Sequence, residues 1–127
     1  MLFEAGLEMA KRILIIENQE DMRLFLRKRL ELLGFEIVTA TREEDGLAVL
    51  ESEPINGVLL DLETSTRNGM TVLKHLKKRF KEIPVIVMSA DPTQSKMAEA
   101  IRQGAWDYLV KPLSSEILNS KCQRIFG

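Results

Sequence analysis

The stretch Ile13-Leu14-Ile15-Ile16-Glu17-Asn18 is a short apolar run that ends abruptly in two polar residues. Three later segments repeat this pattern, since residues 58–60 precede Asp61, residues 84–88 precede Ser89 and residues 106–110 precede Lys111. Apolar runs without alternation are typical of strands that are covered on both faces. Residues 35–39 alternate more clearly and predict a further strand near a sheet edge. The pattern therefore predicts a mostly parallel sheet of five strands.

Amphipathic stretches separate these runs and predict five helices. Apolar residues recur at helical spacing in residues 22–33, which end at Gly34, and in residues 42–50, which end before Pro54. Residues 70–80 predict a third helix, with an outer face of Lys74, Lys77, Lys78 and Lys81. Residues 93–103 end at Gly104, and Ser114 is the predicted N-cap of the last helix. Five βα units predict a doubly wound α/β fold, because the chain is too short for an eight-stranded barrel.

The composition narrows the class of protein. The 127 residues are 45% hydrophobic, and 18 basic residues nearly balance 19 acidic ones. This balance argues against direct binding of nucleic acid or an anionic membrane, which both need surplus positive charge. The single cysteine, Cys122, excludes an internal disulfide and suits a reducing, cytoplasmic setting. Residues 1–10 lack the features of a secretory signal and are interpreted as a tail before one domain at residues 11–127.

Polar side chains follow four of the five predicted strands, at the edge of the sheet where ligands bind in open parallel sheets. They are Glu17 with Asn18, Asp61, Ser89 and Lys111. Two neighbouring carboxylates are unfavourable unless a cation lies between them. Glu17 and Asp61, with a backbone carbonyl from the loop after Asp61, would suit Mg²⁺ completed by water. Asp61 could then attack a phosphoryl donor, with Lys111 balancing the charge and Ser89 donating to the new group.

Four blocks of the sequence resemble the receiver domain of two-component response regulators, the CheY-like superfamily, over about residues 11–126. These blocks are residues 13–18, residues 58–62 with Gly69, residues 84–90, and residues 104–112. The resemblance implies a flavodoxin-like sheet in the order 2-1-3-4-5, and Mg²⁺-dependent phosphotransfer onto Asp61 from a histidine kinase or a histidine phosphotransfer protein. It implies Lys111 as a phosphate-pairing residue, Ser89 and Tyr108 as switch residues, and a cis bond before Pro112. Its metal ligands, for Mg²⁺ or Mn²⁺, would be Glu17, Asn18, Asp61 and the backbone carbonyl of Glu63.

Two departures from the family pattern affect these expectations. Asn18 stands where the family usually has a second acid, which predicts weaker metal binding, although Asn18 could instead cap the first helix. The loop 63–69 lacks the usual proline, and we expect a looser loop there. Glu63 and Asp91 flank the expected phosphoryl site, where the family tunes the lifetime of the phosphate.

The sequence is compatible with several functional hypotheses. The first is a phosphoaccepting switch whose only covalent chemistry is its own modification and hydrolysis. The second is a degenerate receiver that acts as a phosphorylation-independent interaction module. A flavodoxin-like enzyme is less favoured, because no glycine-rich phosphate loop follows the first strand. The resemblance also implies a dimer face on the fourth helix, fifth strand and fifth helix.

Three other residues are interpreted structurally. His75 is expected on the surface, Cys122 in the interior, and Trp106 in packing at the start of the fifth strand.

Overall fold

Five parallel strands form the sheet, and each apolar run of the sequence becomes one of them. The strands are β1 (Arg12–Ile16), β2 (Glu36–Ala40), β3 (Gly57–Asp61), β4 (Val85–Ser89) and β5 (Asp107–Val110). Their order is β2-β1-β3-β4-β5, which confirms the doubly wound fold. The computed structural model describes residues 10–64 and 68–127. Residues 1–9 of the predicted tail lie outside this part, and so do residues 65–67, the middle of the loop that is expected to be looser.

Five helices connect and cover the strands. They are α1 (Glu20–Leu32), α2 (Glu43–Ser52), α3 (Gly69–Arg79), α4 (Gln94–Arg102) and α5 (Ser115–Phe126). Gly34 and Gly104 follow α1 and α4 with φ of 96° and 109°, a left-handed conformation that glycine adopts without steric penalty. The Ser114 hydroxyl accepts the amide of Ile117 and so caps α5. These three predicted helix boundaries are confirmed.

The core has two parts, one on each face of the sheet. Leu14, Ile16, Val58 and Leu60 point toward α2, α3 and α4. Alternate residues of the same strands, such as Ile13, Ile15 and Leu59, point toward α1 and α5. Both sets are almost fully buried, which explains why the central runs show no polar alternation. Strand β2 lies at the edge of the sheet beside β1, as the sequence predicts, and only Ile37 and Ala40 of its five residues are buried.

Two predictions about single side chains are wrong. Lys77 does not lie on the solvated face of α3, because its ammonium donates to the carbonyls of Lys81 at 2.9 Å and Ile83 at 2.6 Å. Burial lowers the pKa of Lys77. Trp106 is 57% exposed and precedes β5, so it does not pack in the core.

The predictions for the other three lysines of this stretch, for His75 and for Cys122 agree with the structure. Lys74, Lys78 and Lys81 are exposed, and so is His75. Cys122 is fully buried on α5. None of the helices in the described residues is both long enough and apolar enough to cross a bilayer.

Candidate functional site

The strand order brings four of the predicted side chains to one edge of the sheet. Glu17 follows β1, Asp61 ends β3, Ser89 ends β4 and Lys111 follows β5. The register places Asp61 opposite Met88 and Ser89 opposite Val110, so the four strands end at nearly the same level. This alignment follows from parallel pairing, because the carboxyl ends of all strands then share one edge.

Three of these residues form a buried charged cluster. The Lys111 ammonium lies 2.8 Å from Asp61 Oδ2 and 3.4 Å from Glu17 Oε1. Glu17 is fully buried and Asp61 is only 3% exposed. One ammonium therefore serves two carboxylates, which leaves an excess negative charge when both acids are ionised.

The protonation equilibria reflect this imbalance. Burial, with the charge of Asp61 adding to it, raises the pKa of Glu17 above its ordinary value, although the amide of Gln19 and the charge of Lys111 oppose the shift. Burial alone would lower the pKa of Lys111, but the hydrogen bond and charge of Asp61, together with Glu17, raise it. Lys111 therefore stays charged at neutral pH, and the cluster favours additional positive charge.

Backbone contacts hold Glu17 in place at the start of the following loop. Its carboxylate accepts the Gln19 amide at 3.1 Å, and its carbonyl accepts the Arg23 guanidinium at 3.0 Å. Asn18 is exposed, and the N-cap of α1 is Gln19, with no side-chain capping bond. The interpretation of Asn18 as a helix cap is therefore wrong, while its role as a metal ligand stays a prediction.

Ser89 belongs to a second group of contacts, in which Ser89 is buried while Glu63 and Ala90 are exposed. Its hydroxyl donates to Glu63 Oε2 at 2.6 Å, and the Ala90 amide donates to Glu63 Oε1 at 2.9 Å. The Glu63 amide in turn donates to Asp61 Oδ1 at 2.9 Å. Glu63 therefore links Asp61 to the end of β4. Sequence reasoning assigned Glu63 only a carbonyl ligand and a flanking position, and missed this side-chain bridge.

Tyr108 is connected to this second group through Asp91. Its ring is buried, and its hydroxyl donates to the carbonyl of Asp91 at 2.7 Å. The Asp91 amide donates to Ser89 Oγ at 3.0 Å, so Ser89 and Tyr108 contact the same residue. Burial raises the pKa of Tyr108. The Lys111–Pro112 bond is cis, which confirms that expectation.

The donor set of the charged cluster fits a hard divalent cation. Glu17 and Asp61 offer carboxylate oxygens, and a single ammonium neutralises them only in part. Carboxylate, amide and carbonyl oxygens are the ligands that Mg²⁺ prefers. Within residues 10–64 and 68–127, no three acidic, histidine or cysteine side chains converge in a way that could hold a metal. Backbone, amide or water oxygens would therefore complete such a site.

Comparisons with known proteins agree with this geometry. The family model for the response regulator receiver domain matches residues 13–123. The response regulator protein FleR of Pseudomonas aeruginosa is 34% identical over 110 residues, which are 87% of this chain and 23% of FleR. The PhoP transcriptional regulatory protein of Bacillus subtilis for alkaline phosphatase synthesis is 27% identical over 92% of this chain and 49% of its own length. This chain thus spans only 23% to 49% of the length of these curated relatives.

Solved structures show the same likeness. The receiver domain of NtrX from Brucella abortus is 28% identical, with a TM-score of 0.82 over 90% of this chain and 97% of that chain. A two-component response regulator from Clostridium difficile is 29% identical, with a TM-score of 0.85 over 91% of this chain and 94% of that chain.

Proposed function

We propose that this chain, which belongs to the response regulator receiver domain family of two-component systems, accepts a phosphoryl group on the carboxylate of Asp61. In the proposed step, an Asp61 oxygen forms a bond to phosphorus while the bond between phosphorus and a histidine nitrogen of the donor breaks. The histidine nitrogen keeps the electron pair and takes up a proton. The donor would be a histidine kinase or a histidine phosphotransfer protein.

The main support for this proposal is the position of the Asp61 carboxylate next to the Lys111 ammonium. Its carboxylate ends β3 and contacts an ammonium at 2.8 Å on its Oδ2 side, in a cluster that attracts cations. A carboxylate alone repels a phosphoryl donor, since both are anionic. Lys111 reduces that repulsion and would balance the charge on the phosphoryl oxygens.

The other residues of the edge would bind the product. The Ser89 hydroxyl and the Ala90 amide are adjacent donors at the end of β4, and both already contact an anion, the Glu63 carboxylate. Tyr108 would respond to movement of Ser89 through Asp91. Mg²⁺ or Mn²⁺, held by Glu17, Asn18, Asp61 and the Glu63 carbonyl, would supply further positive charge for the transferred group.

The test is phosphorylation by acetyl phosphate with Mg²⁺, followed by intact mass measurement. We expect the mass of one added phosphoryl group on the unaltered chain and none on D61N. The matched control is D107N, because Asp107 is an aspartate that pairs with Lys121 and Arg124 away from the site. No adduct on the unaltered chain, or an equal adduct on D61N, would overturn the proposal. No adduct together with no saturable Mg²⁺ binding would favour a phosphorylation-independent interaction module.

A second copy of the chain is a proposed partner. Ile101, Trp106 and Ile117 are large apolar side chains that are at least 50% exposed, on α4, just before β5 and on α5. We expect W106A to weaken self-association in the presence of beryllofluoride, which mimics the phosphoryl group, as measured by sedimentation. If the unaltered chain is a monomer in this measurement, a dimer through this face is contradicted.

A further inference from the structure

We propose that the Glu63 carboxylate is an internal occupant of the phosphoryl-binding donors, which must leave when Asp61 is phosphorylated. This inference rests on the proposed function of Asp61. The two donors are the Ser89 hydroxyl and the Ala90 amide, and Glu63 accepts one bond on each carboxylate oxygen, at 2.6 Å and 2.9 Å. Bonds to an ionised acceptor are short and stronger than neutral ones, which fits the shorter of these distances.

The position of Glu63 makes it a direct competitor for these donors. Its amide is fixed to Asp61 Oδ1 at 2.9 Å, beside the oxygens that would accept the phosphoryl group. From there its side chain crosses to the end of β4. A phosphoryl group on Asp61 would reach the same edge with negatively charged oxygens that need the same donors. Two anions at one pair of donors repel each other, so only one can stay.

The exposure of Glu63 shows how the exchange can take place. Glu17 and Asp61 are buried and could not leave without separating charges in the interior. Glu63 is exposed, and its side chain can rotate into water, where a carboxylate is well solvated. Displacement therefore requires the loss of two hydrogen bonds but no burial of charge.

The contact between Glu63 and Ser89 is also connected to the buried side chain of Tyr108. Ser89 Oγ donates to Glu63 and accepts the Asp91 amide at 3.0 Å, and the Asp91 carbonyl accepts the Tyr108 hydroxyl at 2.7 Å. In the unphosphorylated chain, Ser89 is therefore already bonded to an anion, the Glu63 carboxylate. The same serine is connected to the buried Tyr108 through Asp91. Removing that anion should loosen this set of bonds in the absence of phosphate.

The expected gain in affinity follows from competition between the Glu63 carboxylate and a phosphoryl mimic for the same two donors. Where a site is open only part of the time, the apparent affinity falls by the open fraction. If the bridge is about 90% occupied, its removal strengthens binding of a phosphoryl mimic by about ten-fold. The E63Q variant keeps one carbonyl oxygen but no charge, so we expect an intermediate gain.

The experiment compares beryllofluoride binding in the presence of Mg²⁺ by the unaltered chain, E63A, E63Q and the control D21A. Asp21 is an exposed acid in the first turn of α1, which begins at the same edge of the sheet. D21A therefore removes one negative charge near the site without removing the bridge. Binding is followed by the amide resonance of Ala90 and by fluorescence of Trp106, the only tryptophan.

The expected result is about ten-fold tighter binding by E63A and a change of less than about two-fold for D21A. In the absence of beryllofluoride, the Ala90 amide of E63A should shift and exchange faster with solvent, and the Tyr108 ring resonances should move. Equal affinities for E63A and D21A would overturn the inference and leave the proposed function intact. No binding by any of the four proteins would instead overturn the proposed function and the exchange with it. Binding by E63A alone would support both.

Discussion

Replacing Lys111 with methionine keeps most of the apolar stem but leaves Glu17 and Asp61 without their shared ammonium. Both acids are buried, and the ammonium lies 2.8 Å and 3.4 Å from them. Removing one partner of a buried ion pair costs roughly 3–5 kcal/mol. Because Lys111 keeps 17% of its side chain exposed, solvent screens part of the interaction. We therefore expect K111M to lower the free energy of unfolding by about 2 kcal/mol, or Tm by about 8 °C.

The matched control for K111M is K121M. Lys121 also contacts an aspartate, Asp107, at 2.9 Å, but Asp107 is 22% exposed and keeps a second contact with Arg124 at 3.1 Å. The same change of charge at that pair should cost no more than about 0.5 kcal/mol. Urea unfolding at pH 7 without metal gives both values, and equal losses for K111M and K121M would refute the reasoning.

Two further conditions test the cause of the K111M loss. The charge of Lys111 lowers the pKa of Glu17, so its removal raises that pKa further. Glu17 of folded K111M then takes up a proton as the pH falls from 7 toward 5. The loss of free energy of unfolding caused by K111M should therefore shrink over this range. A divalent cation that binds the same acids should also stabilise K111M more than the unaltered chain. A deficit that depends on neither pH nor Mg²⁺ would contradict an electrostatic origin.

Three other predictions concern single residues. Because the folded chain raises the pKa of Glu17, its ionised form opposes folding, so E17Q should raise Tm at pH 7 without metal. That gain should disappear below pH 4.5, the ordinary pKa, where Glu17 is protonated in both states. A Cβ at Gly57 would collide with the ring of Phe126, so G57A should cost about 1–3 kcal/mol in urea unfolding. Burial raises the pKa of Cys122 to about 12, so a thiol reagent should label native protein far more slowly than protein in urea.

The fold could be predicted from the sequence because its strands are covered on both sides. The run Ile13–Ile16 has no polar position, and both faces of β1 are buried against different sets of helices. The errors at Lys77 and Trp106 occur at positions that hydrophobic periodicity does not determine. Lys77 has the spacing of a surface lysine, but three carbonyls after the end of α3 lie within reach of its ammonium. The backbone amide of Trp106 donates to the Val85 carbonyl of β4 at 2.7 Å, and this bond does not require the side chain to be buried.

The convergence of Glu17, Asp61 and Lys111 could be predicted for a different reason. Each lies within one residue of a strand end, so strand order alone brings them to a common edge. The Glu63 bridge could not be found in this way, because it depends on the direction of one side chain in a turn after β3. The available signal was an acid two residues after Asp61, and that spacing does not specify which donors the acid contacts.

The two groups of contacts differ in the exposure of their anions, because Glu17 and Asp61 are buried whereas Glu63 is exposed, and under the proposed function this difference makes Glu63 the group that moves. The charges of Glu17, Asp61 and Lys111 are buried, and separating them would leave an uncompensated charge in the interior, so they form a fixed framework. Ser89 is also buried, but Glu63 is exposed, so water can solvate the Glu63 carboxylate when its bonds to Ser89 and the Ala90 amide are lost. Under the proposed function, a phosphoryl group on Asp61 would therefore displace Glu63, while Glu17 and Lys111 stay buried beside it. Because Tyr108 is connected to Ser89 through Asp91, loss of the Glu63 bridge would be transmitted to the buried Tyr108 through these two bonds.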